Sequence, residues 1–408
     1  MMEKRPVKRR APVYIACFLA ILLASCDQSP LFYQISQEIE PKEPRIKGVP
    51  SNFVEFNGAV YVGSASLHRY AKNAEGKAVW DEGSIPQPSG RIYALAAINN
   101  ADPAKSFLYA LTESGLYKLG VGQNAWSGKI TIEAGDGTAF SSIQTIYAAG
   151  NTLFAGGWNG ITTSGTNAAN YAIFYEDNGV LKLKKANTGL LSGAVVVPGG
   201  RYYLATNGAG IYYLSSLNSA VREQSLQDSN GGSESVIVGI IDSGDIIAVT
   251  RSGNILKVDT ASHIYTAYST GQRMTGAVAK WYQNSSDTAP KLLLLGIQPG
   301  NGSTSTIYGY REIVLDSDGK LQLNSDGKLS LRIPGNEALS SVDNRDRYDN
   351  TLGTHPVSHL FQAPSAVDSA MTLFAGIQGT GRGVSNSQKA LNSGGVWSYR
   401  NEQWNAEE

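Results

Sequence analysis

One short pattern constrains this chain more than any other. An apolar-aromatic-small run ends in Gly or Thr, a few small polar residues follow, and an apolar-aromatic run restarts. Leu153-Phe154-Ala155-Gly156 shows it most fully, continuing through Gly157-Trp158-Asn159-Gly160-Ile161. Related runs are Val60-Tyr61-Val62-Gly63, Leu108-Tyr109-Ala110-Leu111, Tyr203-Leu204-Ala205-Thr206, Ile247-Ala248-Val249-Thr250, Leu293-Leu294-Leu295-Gly296 and Leu373-Phe374-Ala375-Gly376. Their fourth residues are separated by 48, 45, 50, 44, 46 and 80 positions. Five of the six intervals sit near one value, which means one supersecondary unit copied along the chain, with each copy burying its apolar face against its neighbours.

Between the recurrences, strands follow from period-two alternation and from turn residues, so the expected class is all-β. Each unit parses as an inner strand, the recurring second strand, a third strand and a polar outer strand. In the second unit these are residues 92–95, 107–111, 115–119 and 129–132. The fourth unit has a poor outer strand near Val221, and the third strand of the sixth unit is placed at 306–310. Gly115-Leu116-Tyr117, Gly210-Ile211-Tyr212 and Gly395-Val396-Trp397 each put a Gly before an apolar-aromatic pair, where the turn needs a permissive backbone. The units from Phe53 to Trp404 resemble a β-propeller and, at the level of pattern, the degenerate blades of bacterial exported propellers. That resemblance implies seven four-stranded blades, with six or eight as alternatives. Trp80-Asp81 is the only Trp-Asp dipeptide, so a WD40 array is not implied, and no sialidase-type Asp box is present.

Charge narrows the function. The 408 residues carry 34 Lys+Arg against 34 Asp+Glu. A balanced chain lacks the basic face that nucleic acid requires. With only 17% charged residues, 45 Gly and 21 Tyr, the composition suits short strands joined by tight turns.

The N-terminus stands apart from the repeats. Lys4, Arg5, Lys8, Arg9 and Arg10 precede an apolar run over 13–24, too short to span a bilayer comfortably, which ends in Leu23-Ala24-Ser25-Cys26. These residues resemble the lipobox of bacterial lipoproteins. The resemblance implies a signal peptide over 1–25, cleavage before Cys26, and attachment of acyl chains such as palmitate to that cysteine. Of the 2 Cys, Cys17 would leave with the leader, and one remaining thiol builds neither an internal disulfide nor a thiolate zinc site. No metal or cofactor is expected. Two or more acyl chains hold a protein stably on a membrane. Residues 26–50 contain Pro30, Pro41, Pro44 and Pro50 and read as a flexible tether, with Leu31-Phe32-Tyr33-Gln34-Ile35 apolar enough to dock as an extra edge strand. Asp27 after the cysteine resembles an inner-membrane retention signal of some enteric bacteria. The expected location is therefore the bacterial cell envelope, lipid-anchored, on the periplasmic or surface side.

The propeller region is expected over 51–408, with a long insertion at about 311–353. Asp318-Gly319 and Asp326-Gly327 sit between alternating apolar residues there, a hairpin signal. The run from Asp316 places Gly too early for a calcium loop of the EF-hand type. His355 and His359 have helical metal spacing, but Pro356 and strand-like neighbours argue for packing or surface roles. His68 falls within a third strand. No nucleophile elbow or phosphate loop stands out, and Gly379-Thr380-Gly381-Arg382-Gly383 lies between strands rather than before a helix.

In a propeller, turns between second and third strands share a face with the links between blades. On this parse that face displays Glu113, Trp158, Asn159, Asn207, Arg251, Gln298, Asn301, Gln378 and Arg382. Trp with nearby amides and Arg suits a peptide or a sugar. The expected function is a membrane-anchored, non-enzymatic binding or scaffolding module with an envelope protein partner, a small molecule or glycan being a further option. The alternative is a carbohydrate-active or other hydrolytic or lyase propeller with two carboxylates converging at the channel mouth.

Overall fold

The structure is a computed structural model. It describes residues 46, 50–133, 142–158, 170–217, 224–228, 237–242, 246–270, 276–282, 292–298, 309–314, 321, 323–329, 331–332, 357–364, 371–377, 395–400 and 403–406. The segment expected as leader, Cys26, most of the segment expected as tether, Asn159, Asn301, His355, Gln378 and Arg382 lie outside these residues.

Seven antiparallel sheets follow one another along the described chain. The first contains β1 (Phe53–Phe56), β2 (Ala59–Gly63), β3 (Leu67–Lys72) and β4 (Ala78–Asp81). The second contains β5 (Ile92–Ile98), β6 (Phe107–Thr112) and β7 (Gly115–Gly120). After β8 (Thr131–Ile132), the third is built from β9 (Ser142–Ala149), β10 (Thr152–Trp158), β11 (Tyr171–Asp177) and β12 (Val180–Ala186). The fourth comprises β13 (Leu190–Val197), β14 (Arg201–Asn207), β15 (Gly210–Leu214) and β16 (Gln224–Ser225). Past β17 (Gln227–Asp228), the fifth has β18 (Ile237–Asp242), β19 (Ile246–Thr250), β20 (Asn254–Asp259) and β21 (Ile264–Ser269). The sixth has β22 (Gly276–Tyr282), β23 (Leu292–Gln298), β24 (Gly309–Val314) and β25 (Leu331–Arg332). The seventh has β26 (Val357–Pro364), β27 (Met371–Ile377), β28 (Gly395–Arg400) and β29 (Gln403–Ala406).

The first strand of each sheet packs against the first strand of the next, and β26 packs on β1, so the sheets close into a ring. Meandering sheets set radially around an axis are a β-propeller. The recurring second strand explains the sequence pattern. Leu153, Phe154 and Ala155 of β10 are all fully buried. Leu153 and Ala155 face the core shared with the second sheet, whereas Phe154 faces the fourth. A strand covered on both faces reads as a continuous apolar run rather than an alternating one. Outer strands have one face in water and alternate: Tyr265 of β21 is buried between exposed Ile264 and Thr266.

Sheets of four strands throughout were expected, and the structure departs from this twice. The outer segment of the second unit bridges Leu116 only at Ile130, then passes on as β8 to pair in parallel with β12 of the third sheet. β17 likewise leaves the fourth sheet to pair in parallel with β21 of the fifth. The second sheet thus has three strands, and the third and fifth have five. Other strands shift locally. In the second unit the residue equivalent to Thr206 and Thr250 is Thr112, one beyond Leu111, because Thr112 pairs with Gly115 as Thr206 pairs with Gly210. The third strand of the sixth sheet is described over Gly309–Val314, and its expected start at 306 lies outside the described residues. Within the stretch expected as an insertion, Arg311–Val314 complete β24 and Leu331–Arg332 form β25. Asp326-Gly327 turns a hairpin bridged by Leu323 and Leu329, and the Leu329 N–H donates to the Ser269 carbonyl of the fifth sheet at 2.8 Å.

Ile46, in the segment expected as tether, is fully buried in the cluster joining the first and seventh sheets, with Phe53, Tyr70, Trp80 and Phe374.

Candidate functional site

The face carrying the turns between second and third strands, here called upper, is knitted by backbone hydrogen bonds to the links between sheets. The Ile92 N–H donates to the Ser64 carbonyl at 2.9 Å, and the Glu113 N–H to the Arg91 carbonyl at 3.0 Å. A buried threonine closes three of these turns from within. Thr112 Oγ1 accepts from the Ser114 N–H (3.1 Å), Thr206 Oγ1 from the Ala209 N–H (3.2 Å) and Thr250 Oγ1 from the Asn254 N–H (2.9 Å). Gly115 at φ 143° and Gly210 at φ 83° take up the conformation that other residues avoid, as the Gly-apolar-aromatic repeat implied.

Near this face the first strands carry a repeated irregularity. Pairing slips by one residue at Tyr93 in β5, Gln144 in β9, Ser192 in β13, Val238 in β18 and Ser358 in β26. Such bulges bend a strand and re-aim side chains. Here they ring the upper mouth of the axial channel, and Tyr93 is 54% exposed there.

Of the residues expected on this face, the structure joins two. Arg251, in the turn after β19, places Nη2 3.5 Å from Oδ1 of Asn207 at the end of β14, across the seam between the fourth and fifth sheets. Glu113 is exposed in its turn, and Trp158 is half-buried at the end of β10, paired with Ser142 and Tyr171. Gln298 ends β23 opposite Gly276.

The described cavities lie elsewhere and are not lined by those residues. One of about 430 Å³ sits on the axis between β1, β5, β9 and β26, bordered by Asn52, Glu55, Tyr147 and Gln362 among others. Another of about 370 Å³ opens near the opposite, lower face beside Glu55, Asn57, Asn99 and Ser106. Asparagines zip the inner wall here. Asn52 Nδ2 donates to the Leu95 carbonyl at 2.6 Å while its Oδ1 accepts from the Leu95 N–H at 2.8 Å. Asn99 repeats the device with the Asn57 N–H (3.1 Å) and the Glu55 carbonyl (2.8 Å). Burial pushes the Tyr147 phenol up to about 12. A single asparagine before a strand carries no distinctive pattern, so these lining residues were not visible in the sequence.

Tyr147 apart, several perturbed groups belong to seams between sheets. Lys118 Nζ lies 2.9 Å from Glu176 Oε1, and the Tyr109 hydroxyl donates to Glu176 Oε2 at 3.3 Å. Burial first, and then the Glu176 charge, raises the Tyr109 phenol above its ordinary range. Between the fourth and fifth sheets Tyr203 Oη lies 2.9 Å from His263 Nδ1, and the His263 ring stacks 3.9 Å from that of Tyr213. His68, 3% exposed, sits 3.2 Å from Ser66 Oγ. Ser66 Oγ donates to Glu82 at 2.7 Å and His68 Nε2 also lies 3.9 Å from Glu82 Oε2, so serine and acid share one ring nitrogen, which is not a nucleophile-activating order. Among the described residues no cluster of His, Cys, Asp and Glu is grouped to hold a metal.

No family model matches the chain, and no curated protein is significantly similar to it in sequence. The solved structures it is similar to include YCF48 bound to D1 peptide, at 13% identity over 83% of this chain and 93% of that one, with a TM-score of 0.44. BBS1N in complex with ARL6DN is 11% identical over 83% and 91%, with a TM-score of 0.47. Regucalcin from Agrobacterium tumefaciens is 14% identical over 65% and 86%, with a TM-score of 0.40. The propeller class rests on the strand order and ring closure described above.

Proposed function

We propose that this chain is a lipid-anchored, non-enzymatic binding propeller of the bacterial cell envelope that holds a protein partner on its upper face. The observation that carries the reading is the construction of that face. Turns and links are cross-bonded into a stiff rim that still presents exposed Glu113, half-buried Trp158 and an Arg251 without a carboxylate partner among the described residues. Rigid rims of this kind lower the ordering cost of binding. Membrane attachment is inferred from the resemblance of Leu23-Ala24-Ser25-Cys26 to a lipobox. A glycoside-cleaving alternative needs two carboxylates roughly 5 to 9.5 Å apart. Among the described lining of the axial cavity, Glu55 is the one carboxylate.

The test places a photo-crosslinking residue at Glu113 on the upper face and, separately, at Asn57 on the lower face of the full chain in cells. A discrete protein adduct from position 113 and not from 57 is the expected result. Equal labelling from both positions, or glycan turnover by the purified chain, would overturn the reading. Cys26→Ser should release the protein from membranes and remove the acyl mass; retention on the membrane would sink the anchor.

A further inference from the structure

Among the described residues the other half-buried cations reach an anionic or well-formed acceptor, including Arg69, whose Nε is likewise unpaired but whose Nη2 donates to Ser84 Oγ at 2.9 Å and lies 4.0 Å from Asp81. Lys118 sits on Glu176, and Arg201 donates from Nη1 to the Thr260 carbonyl at 3.0 Å. Arg251 differs. Among the described residues its Nε is shielded from solvent with no acceptor, and its one hydrogen bond, to Asn207 Oδ1, is long at 3.5 Å. A guanidinium is charged at every physiological pH, and a shielded charged donor left unpaired is costly. The inner strand of the fourth sheet holds a second unmet group. Ser192 Oγ, on the bulge of β13 two residues from the Leu190 that pairs with Asn207, is also shielded and unpaired.

We propose that the upper end of the seam between the fourth and fifth sheets is a carboxylate-binding site, in which Arg251 grips an acidic group of a peptide partner through its Nε–Nη2 edge. Asn207 Oδ1 stands where one carboxylate oxygen would sit and gives way when the ligand arrives. The Nε–Nη2 edge is the fork that carboxylates engage in two parallel hydrogen bonds. One isolated guanidinium on a chain of balanced charge fits a single acidic group; attraction to an anionic membrane takes a cluster of basic residues. The inference deepens the upper-face reading and rests on it.

The probe is a fluorescein-labelled, C-amidated hexapeptide with two glutamates, titrated against the full-length protein in detergent. Controls are the same peptide with glutamines, that glutamine peptide with a free C-terminal acid, and inorganic phosphate as competitor. The glutamate peptide should bind and the amidated glutamine peptide should not. Arg251→Met should weaken binding about tenfold or more, the worth of a charge-assisted hydrogen bond, with an unchanged melting temperature. Arg251→Lys should fall between, and Asn207→Ala should stay within about threefold of the parent, since its carbonyl only holds the ligand's place. Binding of the free-acid glutamine peptide would identify a chain terminus as the preferred carboxylate. Equal binding of both amidated peptides, no binding at all, stronger competition by phosphate than by the glutamate peptide, or an indifferent Arg251→Met would overturn the carboxylate site. Position-113 crosslinks surviving that failure would leave the upper-face reading intact.

Discussion

The seam that closes the ring and the seam between the second and third sheets join similar units with different chemistry. Where the seventh sheet meets the first, Phe374 lies 5.0 Å from Tyr70, 5.4 Å from Trp80 and 5.9 Å from Phe53 between ring centroids, with Ile46 packed among them. No described strand crosses that seam. Where the second sheet meets the third, β8 crosses over, and Lys118, Glu176 and Tyr109 form a half-buried polar knot. Sequence neighbours are already tethered by a short link, so polar groups suffice to fix their register. Joining the two ends of the ring pays a larger loop-closure entropy, and non-directional aromatic burial supplies the offset.

The largest expected effect follows from this contrast. Phe374→Ala should cost about 3–5 kcal/mol, because the side chain is wholly buried and its neighbours on two sheets cannot collapse together. Urea unfolding measures it, and a loss under about 1 kcal/mol would mean that the ring is not closed through this cluster. Ile46→Ala should cost about 2–5 kcal/mol by the same mechanism, which separates a packed residue from a passive linker.

The polar knot should behave differently. Glu176→Ala strands Lys118 and should cost about 3 kcal/mol, at the low end for a buried pair because the two side chains remain 12% and 21% exposed. Replacing both partners by methionine should restore most of the loss, since apolar pairs of similar volume often match a buried ion pair. A double variant as unstable as Glu176→Ala alone would show that the pair is needed for more than its own desolvation. Repacking Phe374 and Trp80 has no such rescue by removal.

How far the sequence reached follows the same division. Second strands were legible because two neighbours cover them, which turns Tyr203-Leu204-Ala205 into an unbroken apolar run with alternate residues facing opposite sheets. Third strands were legible where Gly opens them, as at Gly115 and Gly210. Outer strands were poorly legible. β16, β17 and β25 hold two residues each, and the parallel pairing of β8 and β17 depends on the neighbouring sheet rather than on their own residues. On the candidate site, the turn positions of Asn207 and Arg251 were readable, but the bulges at Tyr93 and Ser192 were not, because a one-residue slip leaves composition unchanged.

Acid should weaken the seventh sheet and the seam between the fourth and fifth sheets through histidine. Burial lowers His359 of β26 from its ordinary value to about 4. Burial, then the Arg201 charge, lowers His263, with Asp259 opposing; Tyr203 and Tyr213 complete its surroundings. A depressed folded value means that the unfolded chain takes up protons first as pH falls. Stability is therefore full above about pH 6.5 and declines toward pH 4. For His359 the decline is at most about 3 kcal/mol, and smaller to the extent that its half-buried ring keeps some water. The difference between parent and His359→Gln unfolding free energies, followed from pH 7 to 4, should shrink by that amount; a constant difference would remove His359 from the acid response.

Close approach between sheets gives a smaller effect. A Cβ on Gly63 would collide with Ile92 Cγ2 and lie 2.8 Å from its Cβ, so Gly63→Ala must push the first and second sheets apart. The expected loss is about 1–3 kcal/mol, and Gly63→Ala with Ile92→Val should recover part of it by trimming the opposing side chain. Full additivity of the two losses would place the strain elsewhere.

The smallest effect tests the boundary of the polar knot. Asp177 follows Glu176 in β11, but alternation along the strand turns it to the other side, where it meets Lys182 at 2.6 Å with more than a third of each side chain in solvent. Exposed ion pairs gain little, because water screens the charges and both side chains lose rotamer freedom. Asp177→Asn should leave the melting temperature unchanged while Glu176→Gln, one residue away, lowers it. Comparable shifts from the two variants would mean that the field around β11, rather than burial in the seam, sets the strength of the Lys118–Glu176 contact.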